Sequence, residues 1–268
     1  MARIAVVTGG TRGIGCAISV ALKNAGYQVA ATYAGNDRAA QLFNEETGIP
    51  VFKFDVADFN ACAQGVKAIE AALGPIDVLV NNAGITRDST MHRMDYDQWN
   101  AVIQTNLSSC FNMSRAVIEG MRVRGFGRIV NIGSINGQAG QYGQVNYAAA
   151  KSGMHGFTKA LAQEGAGRGI TVNAVAPGYV DTEMVRAVPA EVLEKIIARI
   201  PVGRLGKAED IARTVLFWSP TRPISSPARR SPSTAVSTCI DALPCEDAPQ
   251  PGPLPASGER EGPASAGG

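Results

Sequence analysis

Six short apolar runs rich in β-branched residues recur near residues 3–7, 28–33, 50–54, 77–80, 128–132 and 170–175. Helical patterns fill most of the gaps between them. Unbroken apolar runs of this length suit strands buried on both faces. Strands separated by helices are joined by right-handed crossovers. The pattern therefore predicts a single doubly wound α/β domain around a parallel sheet. About 217 residues of this kind are enough for one well-buried core.

The first run, Arg3-Ile-Ala-Val-Val7, leads into Thr8-Gly9-Gly10-Thr11-Arg12-Gly13-Ile14-Gly15 and then an amphipathic helix reaching about Ala25. Glycines in such a strand-to-helix turn let the backbone approach a pyrophosphate, whose charge is held by the helix N-terminus. The spacing is Gly-x-x-x-Gly-x-Gly rather than Gly-x-Gly-x-x-Gly, and on its own a turn without a ligand stays the alternative.

A second constellation follows the fifth run. Asn131-Ile-Gly-Ser134 puts a hydroxyl at the end of a predicted strand, and Asn146-Tyr147-Ala-Ala-Ala-Lys151 puts a phenol and an ammonium at i and i+4. On a helix these two share a face. A lysine beside a tyrosine favours the phenolate and is expected to lower the phenol's pKa, so that it can pass a proton to or from a reacting oxygen. Singly, each residue has a plainer reading. Ser134 would cap a turn, Asn106 would satisfy backbone groups, and Tyr147 and Lys151 would be a solvated helix face.

Taken together, Thr8-Gly-x-x-x-Gly13-x-Gly15, Asn81-Asn82-Ala83-Gly84, Asn106, Ser134, Tyr147-x-x-x-Lys151 and Pro177-Gly178 resemble the short-chain dehydrogenase/reductase family, in its order and at its spacings. The resemblance covers residues 1 to about 217. It implies a Rossmann-like doubly wound parallel sheet. Within the family, Ser134-Ile-Asn-Gly-Gln138-Ala-Gly-Gln141-Tyr142-Gly-Gln144-Val-Asn-Tyr147 is most similar to the branch that reduces acetoacetyl-CoA in polyhydroxybutyrate synthesis.

The resemblance implies a catalytic set of Asn106, Ser134, Tyr147 and Lys151. Tyr147 would protonate the developing alkoxide, Lys151 would tune it and hold the nicotinamide ribose, and Ser134 would polarise the carbonyl. Asn106 would hold a water linking Lys151 to solvent. For the cofactor it implies Gly9, Arg12, Gly13 and Ile14 around the pyrophosphate and Asp55 at the adenine edge. Asn82, Ala83 and Gly84 would line the ribose and nicotinamide, with Pro177, Gly178 and Val180 closing the other side. Tyr33-Ala-Gly-Asn36 carries no acid to bind a ribose 2′-hydroxyl, and Arg12 offers a cation, so NADPH is favoured over NADH. Asp37 and Arg38 follow at once and oppose a clean assignment.

Gln141, Tyr142 and Gln144 precede the catalytic tyrosine and are expected beside the bound acyl group, and the resemblance adds Asp88 and Tyr179. Ordinary loop packing is the alternative for each. The expected reaction is reduction of acetoacetyl-CoA to 3-hydroxybutyryl-CoA with NADPH. A 3-oxoacyl-[acyl-carrier-protein] reductase and a catalytically silent dinucleotide-binding protein remain as alternatives.

A net charge of +2 gives no reason to expect nucleic acid or an anionic membrane as partner. No apolar run reaches the length of a membrane span, and no charged-then-apolar leader opens the chain. Cys16, Cys62 and Cys110 lack metal-ligand spacing, and His92 and His155 are the only histidines, so no metal is expected. Reduced thiols and a cytoplasmic location fit best. The family implies a homotetramer.

The composition changes abruptly after Phe217. Ten of the fifteen prolines fall in residues 218–268, a stretch without lysine or apolar periodicity. A natural disordered Pro-rich tail is one reading. The other is a shifted reading frame. With one base restored before Trp218, and wobble bases chosen freely, residues 218–239 re-read as LVADEADFITGSTLSINGGQHMY, with a stop next. That restores the Thr-Gly, strand and Asn-Gly-Gly with which the family closes. The expected chain is thus a reductase domain over 1–217 and an anomalous tail over 218–268. Its final strand would be lost, an edge exposed and its tetramer weakened.

Overall fold

All six apolar runs become strands: β1 (Ile4–Val7), β2 (Gln28–Tyr33), β3 (Val51–Lys53), β4 (Ile76–Asn81), β5 (Gly127–Ile132) and β6 (Ile170–Pro177). The computed structural model describes residues 2–186, 190–198, 200–219 and 237–240. Helices fill the connections: α1 (Gly13–Asn24), α2 (Asp37–Thr47), α3 (Phe59–Leu73), α4 (Tyr96–Ile103), α5 (Ser109–Arg124), α6 (Asn136–Ala139), α7 (Val145–Ala166), α8 (Glu183–Arg186), α9 (Ala190–Ile197) and α10 (Ala208–Trp218).

The unbroken apolar character of the strands has a direct structural cause. Ala5 and Val7 of β1 pack with Ile18 and Leu22 of α1 and with Ile211 and Val215 of α10. Their neighbours Ile4 and Val6 face the other way, onto Val66 and Ile69 of α3 and Met113, Val117 and Met121 of α5. Both faces of the sheet are therefore core, and each fully buried side chain of this size contributes about 1.5–3 kcal/mol. Local signals agree with the layers. Asn36 caps α2 through Ala39, Asp58 caps α3 through Ala61, and Asp95 and Gln98 form a reciprocal capping box on α4.

A seventh strand, β7 (Ser237–Ile240), completes the order β3-β2-β1-β4-β5-β6-β7, with every pairing parallel. The order reverses between β1 and β4, which opens a crevice at their C-terminal ends. The edge expected to lie bare beside β6 is covered in part. Backbone of the tail pairs Ser237–Ile240 with Ala174–Pro177, the second half of β6. An open strand edge offers unpaired N–H and C=O groups that any short extended segment can satisfy. The remaining tail residues, 220–236 and 241–268, on which the frame-shift reading chiefly falls, lie outside the described residues. No helix among the described residues is long and apolar enough to cross a membrane.

Candidate active site

One cavity of about 720 Å³ runs along the C-terminal ends of the strands, from the β2–α2 turn past the glycine turn to the start of α7. Its walls are held by backbone and side-chain bonds traceable to the sequence motifs. Thr8 Oγ1 accepts from the Asn82 and Ala83 amides at 2.9 and 3.0 Å, and Asn82 Nδ2 donates to the Thr8 carbonyl at 2.8 Å. The end of β4 is thereby tied to the turn between β1 and α1.

The glycines of that turn have different physical reasons. A Cβ at Gly15 would lie 2.1 Å from the Gly9 carbonyl oxygen, so Gly15 exists to let the turn fold back on itself. Gly13 has φ +53, and a Cβ there would meet only Thr182, at 3.9 Å, so its backbone borders open space. The first turn of α1 carries no acidic residue, and its N-cap Arg12 makes no side-chain cap bond. Gly13, Ile14 and Gly15 of that turn line the cavity, and a helix N-terminus with unsatisfied amides suits an anionic pyrophosphate. Gly9, Arg12, Gly13, Ile14, Asp55, Asn82, Ala83, Gly84, Pro177, Gly178 and Val180 all line the cavity, and their chemistry fits a dinucleotide.

Ser134, Tyr147 and Lys151 share one wall of the same cavity. Ser134 sits just past β5, where the Gly133 amide donates to Val175 and the Ile135 amide to Pro177, so the ladder to β6 fixes the turn. Its Oγ accepts from the Asn136 amide at 3.2 Å, the turn-capping bond anticipated as an alternative. Lys151 is almost fully buried, at 3% exposure. Its Nζ donates to the Ile132 carbonyl at 2.7 Å and stands 5.6 Å from the centre of the Tyr147 ring. Beneath them, Asn131 bridges β4 to α7, accepting from Asn81 and donating to Thr158, each at 2.8 Å. This buried chain fixes the rotation of α7 relative to β5.

Asn106 lies behind the wall rather than on it. It sits in a π-helical turn, Gln104–Ser108, between α4 and α5. Its amide is spent on the backbone of Ile85, accepting from N at 2.8 Å and donating to O at 2.9 Å. A Cβ at Gly84 would stand 3.3 Å from Asn106 Oδ1 and 3.7 Å from Lys151 Nζ, so these three groups converge. Cys110 is buried nearby, and burial pushes its thiol up to about 11 although the Lys151 ammonium pulls the other way. The thiol therefore stays neutral and offers no anion to compete for Lys151.

At the end of the cavity near the start of α7, Gln144 Nε2 donates to Asp88 at 2.8 Å and Gln144 Oε1 accepts from Asn136 at 3.0 Å. Asp88, Gln144 and Tyr179 line the cavity. Gln141 meets the Tyr179 hydroxyl at 3.5 Å from outside that lining, and Tyr142 is 87% exposed on the outer surface. The two loops at this end are pinned together, the Ser89 amide donating to Gly143.

Several residues without an expected role also belong to the site. Thr182 and Val185 line the cavity from the segment after β6, and Asn136 lines it beside Gln144. Buried Asn146 donates to the carbonyls of Arg87 and Gln98 at 2.9 and 3.2 Å and accepts from the Tyr147 amide at 2.8 Å. A polar side chain directly before the tyrosine was the available signal for Asn146. Thr182 had none beyond its nearness to Pro177-Gly178.

Comparison with known proteins agrees with this architecture. A model of the short chain dehydrogenase family matches residues 3–192. The acetoacetyl-CoA reductases of Shinella zoogloeoides and Rhizobium meliloti (strain 1021) are 66% and 65% identical over 218 residues, covering 81% of this chain and 90% of each relative. The 3-oxoacyl-[acyl-carrier-protein] reductase FabG of Escherichia coli (strain K12) is 46% identical over 217 residues, covering 80% of this chain and 88% of that relative.

Proposed function

Since the chain belongs to the short-chain dehydrogenase family, we propose that it reduces acetoacetyl-CoA to 3-hydroxybutyryl-CoA with NADPH. The observation that carries this reading is the single cavity in which the glycine turn faces Ser134, Tyr147 and Lys151, in a chain 66% identical to an acetoacetyl-CoA reductase. A reduced nicotinamide, when bound, supplies the hydride.

The residues of the chain do the rest. Ser134 donates a hydrogen bond to the ketone oxygen, which orients it and stabilises charge as it develops. Tyr147 gives its phenolic proton to that oxygen. The Lys151 ammonium stabilises the charge left on the phenol oxygen and has further donors for the ribose hydroxyls. Asn106, whose side chain fastens Ile85, contributes to proton resupply through a water between the π-turn and Lys151.

Gly9, Arg12, Gly13 and Ile14 hold the pyrophosphate. Asp55 holds the adenine, Asn82 to Gly84 the ribose, and Pro177, Gly178 and Val180 the nicotinamide side, now joined by Thr182. Arg12 and the acid-free run Tyr33–Asn36 favour the phosphorylated cofactor. Gln144, Asp88 and Tyr179 receive the acyl group, with Gln141 and Tyr142 at its outer rim.

The test is the rate of NADPH oxidation with acetoacetyl-CoA set beside that with acetoacetyl-carrier protein and with NADH. Higher kcat/KM for the CoA thioester and for NADPH is expected. Turnover of the carrier-protein thioester alone would transfer the assignment to the reaction named for the Escherichia coli relative. Cofactor binding without any turnover would leave a silent binding protein.

A further inference from the structure

A carboxylate beside the adenosine ribose favours a 2′-hydroxyl and repels a 2′-phosphate. Asp37 is the first residue of α2 and directly follows the cavity-lining run Tyr33–Asn36. Its position alone would argue against NADPH. The structure gives it a partner on the neighbouring strand. Lys53 ends β3 and stands opposite Tyr33 in the parallel register. Lys53 Nζ lies 2.8 Å from each of the two Asp37 carboxylate oxygens.

We propose that Lys53 is a specificity-determining residue for the cofactor: by pairing with Asp37, it neutralises the acid that follows the cavity-lining run Tyr33–Asn36 and so admits a 2′-phosphate. The inference rests on the reading that the adenosine half of NADPH lies at the β2–α2 turn. Neither charged side chain is buried, at 52% exposure for Lys53 and 65% for Asp37, so the pair adds little to folding stability. Its consequence is local. The Lys53 ammonium and Tyr33 hydroxyl hold the Asp37 carboxyl below its ordinary range, and Asp37 in turn raises Lys53. The pair stays ionised but without net charge at neutral pH, while Arg12 brings positive charge from the glycine turn. Lys53 stands beside Phe54 and Asp55, which do line the cavity. Its role as a positioning and charge-balancing residue needs no direct contact with the cofactor.

The experiment is calorimetric binding of adenosine 2′,5′-bisphosphate and 5′-AMP to the full chain and to Lys53→Met, Asp37→Asn and the double variant. The parent is expected to prefer the bisphosphate. Lys53→Met should lose about three- to fivefold of that preference, the scale of an exposed charge interaction, with 5′-AMP binding retained or strengthened, which also shows that the variant folds. The double variant should recover it. An undiminished preference in Lys53→Met overturns the inference, and so does a loss that the double variant fails to recover, which would make Lys53 a direct phosphate ligand. Equal binding of the two nucleotides by the parent overturns the NADPH reading itself, and the role of Lys53 with it.

Discussion

Asn146 exemplifies how a residue outside the proposed catalytic set can fix the placement of one within it. Its amide joins the loop at Arg87, the first turn of α4 at Gln98 and the first turn of α7, one residue before Tyr147. Asn146→Ala leaves two carbonyls without their donor, a loss of about 1–3 kcal/mol. It should lower kcat while leaving NADPH affinity as in the parent, because the glycine turn is untouched. Thermal unfolding together with separate kcat and Kd measurements checks both parts. Roles like this one were hard to read in the sequence. Tyr147 and Lys151 announce themselves by the i, i+4 spacing that any helix turns into a shared face. Asn146 and Asn136 act through loops whose approach depends on the whole fold, and no local period encodes that approach.

Among elements, the approach of α6 to α7 tightly constrains the helix that carries Tyr147 and Lys151. A Cβ at Gly137 would come within 2.7 Å of the Lys151 carbonyl carbon and 2.8 Å of the Ser152 amide. Backbone cannot move aside as a side chain can, so Gly137→Ala must push α6 off α7. Overpacking of this kind costs about 1–3 kcal/mol. The displaced Lys151 should reduce kcat by about tenfold, measurable beside the unfolding temperature.

His155, two turns past Tyr147 on the same helix, is held below its ordinary pKa by burial, then by Lys159 and Lys151. The folded protein thus binds this proton less readily than the unfolded chain. Stability should be full above about pH 6.5, decline as pH falls through that value, and level off below the folded pKa. His155→Gln should flatten this part of the unfolding-temperature profile.

Six strands and their helices were legible because a sheet buried on both faces demands unbroken apolar runs. The pairing of Ser237–Ile240 was not legible. It depends on an edge created by the rest of the sheet, and four residues carry too little pattern to announce a strand.

For the whole molecule, the segment after Phe217 decides how well the sheet is closed. β7 covers half of β6, where a longer closing strand would cover more edge and more apolar surface. If a base was lost near that point, the coding DNA will carry wobble bases compatible with the restored reading. The restored chain should then unfold roughly 5–15 °C higher, corresponding to a few kcal/mol in a domain of this size. It should also elute as a firmer tetramer on size-exclusion chromatography. Wobble bases incompatible with the restored reading would refute the frame-shift account, and a clean, stable tetramer from the present chain would refute the expected weakening of the oligomer.

In the proposed reaction Tyr147 delivers the proton in an NADPH-dependent reduction of acetoacetyl-CoA. The most direct measurement compares the parent with Tyr147→Phe for NADPH affinity and for NADPH oxidation in the presence of acetoacetyl-CoA. Equal affinity is expected, with a rate about 10²–10⁴-fold lower in the variant. Equal rates in the two proteins, or no oxidation by a parent that binds NADPH, would contradict that role.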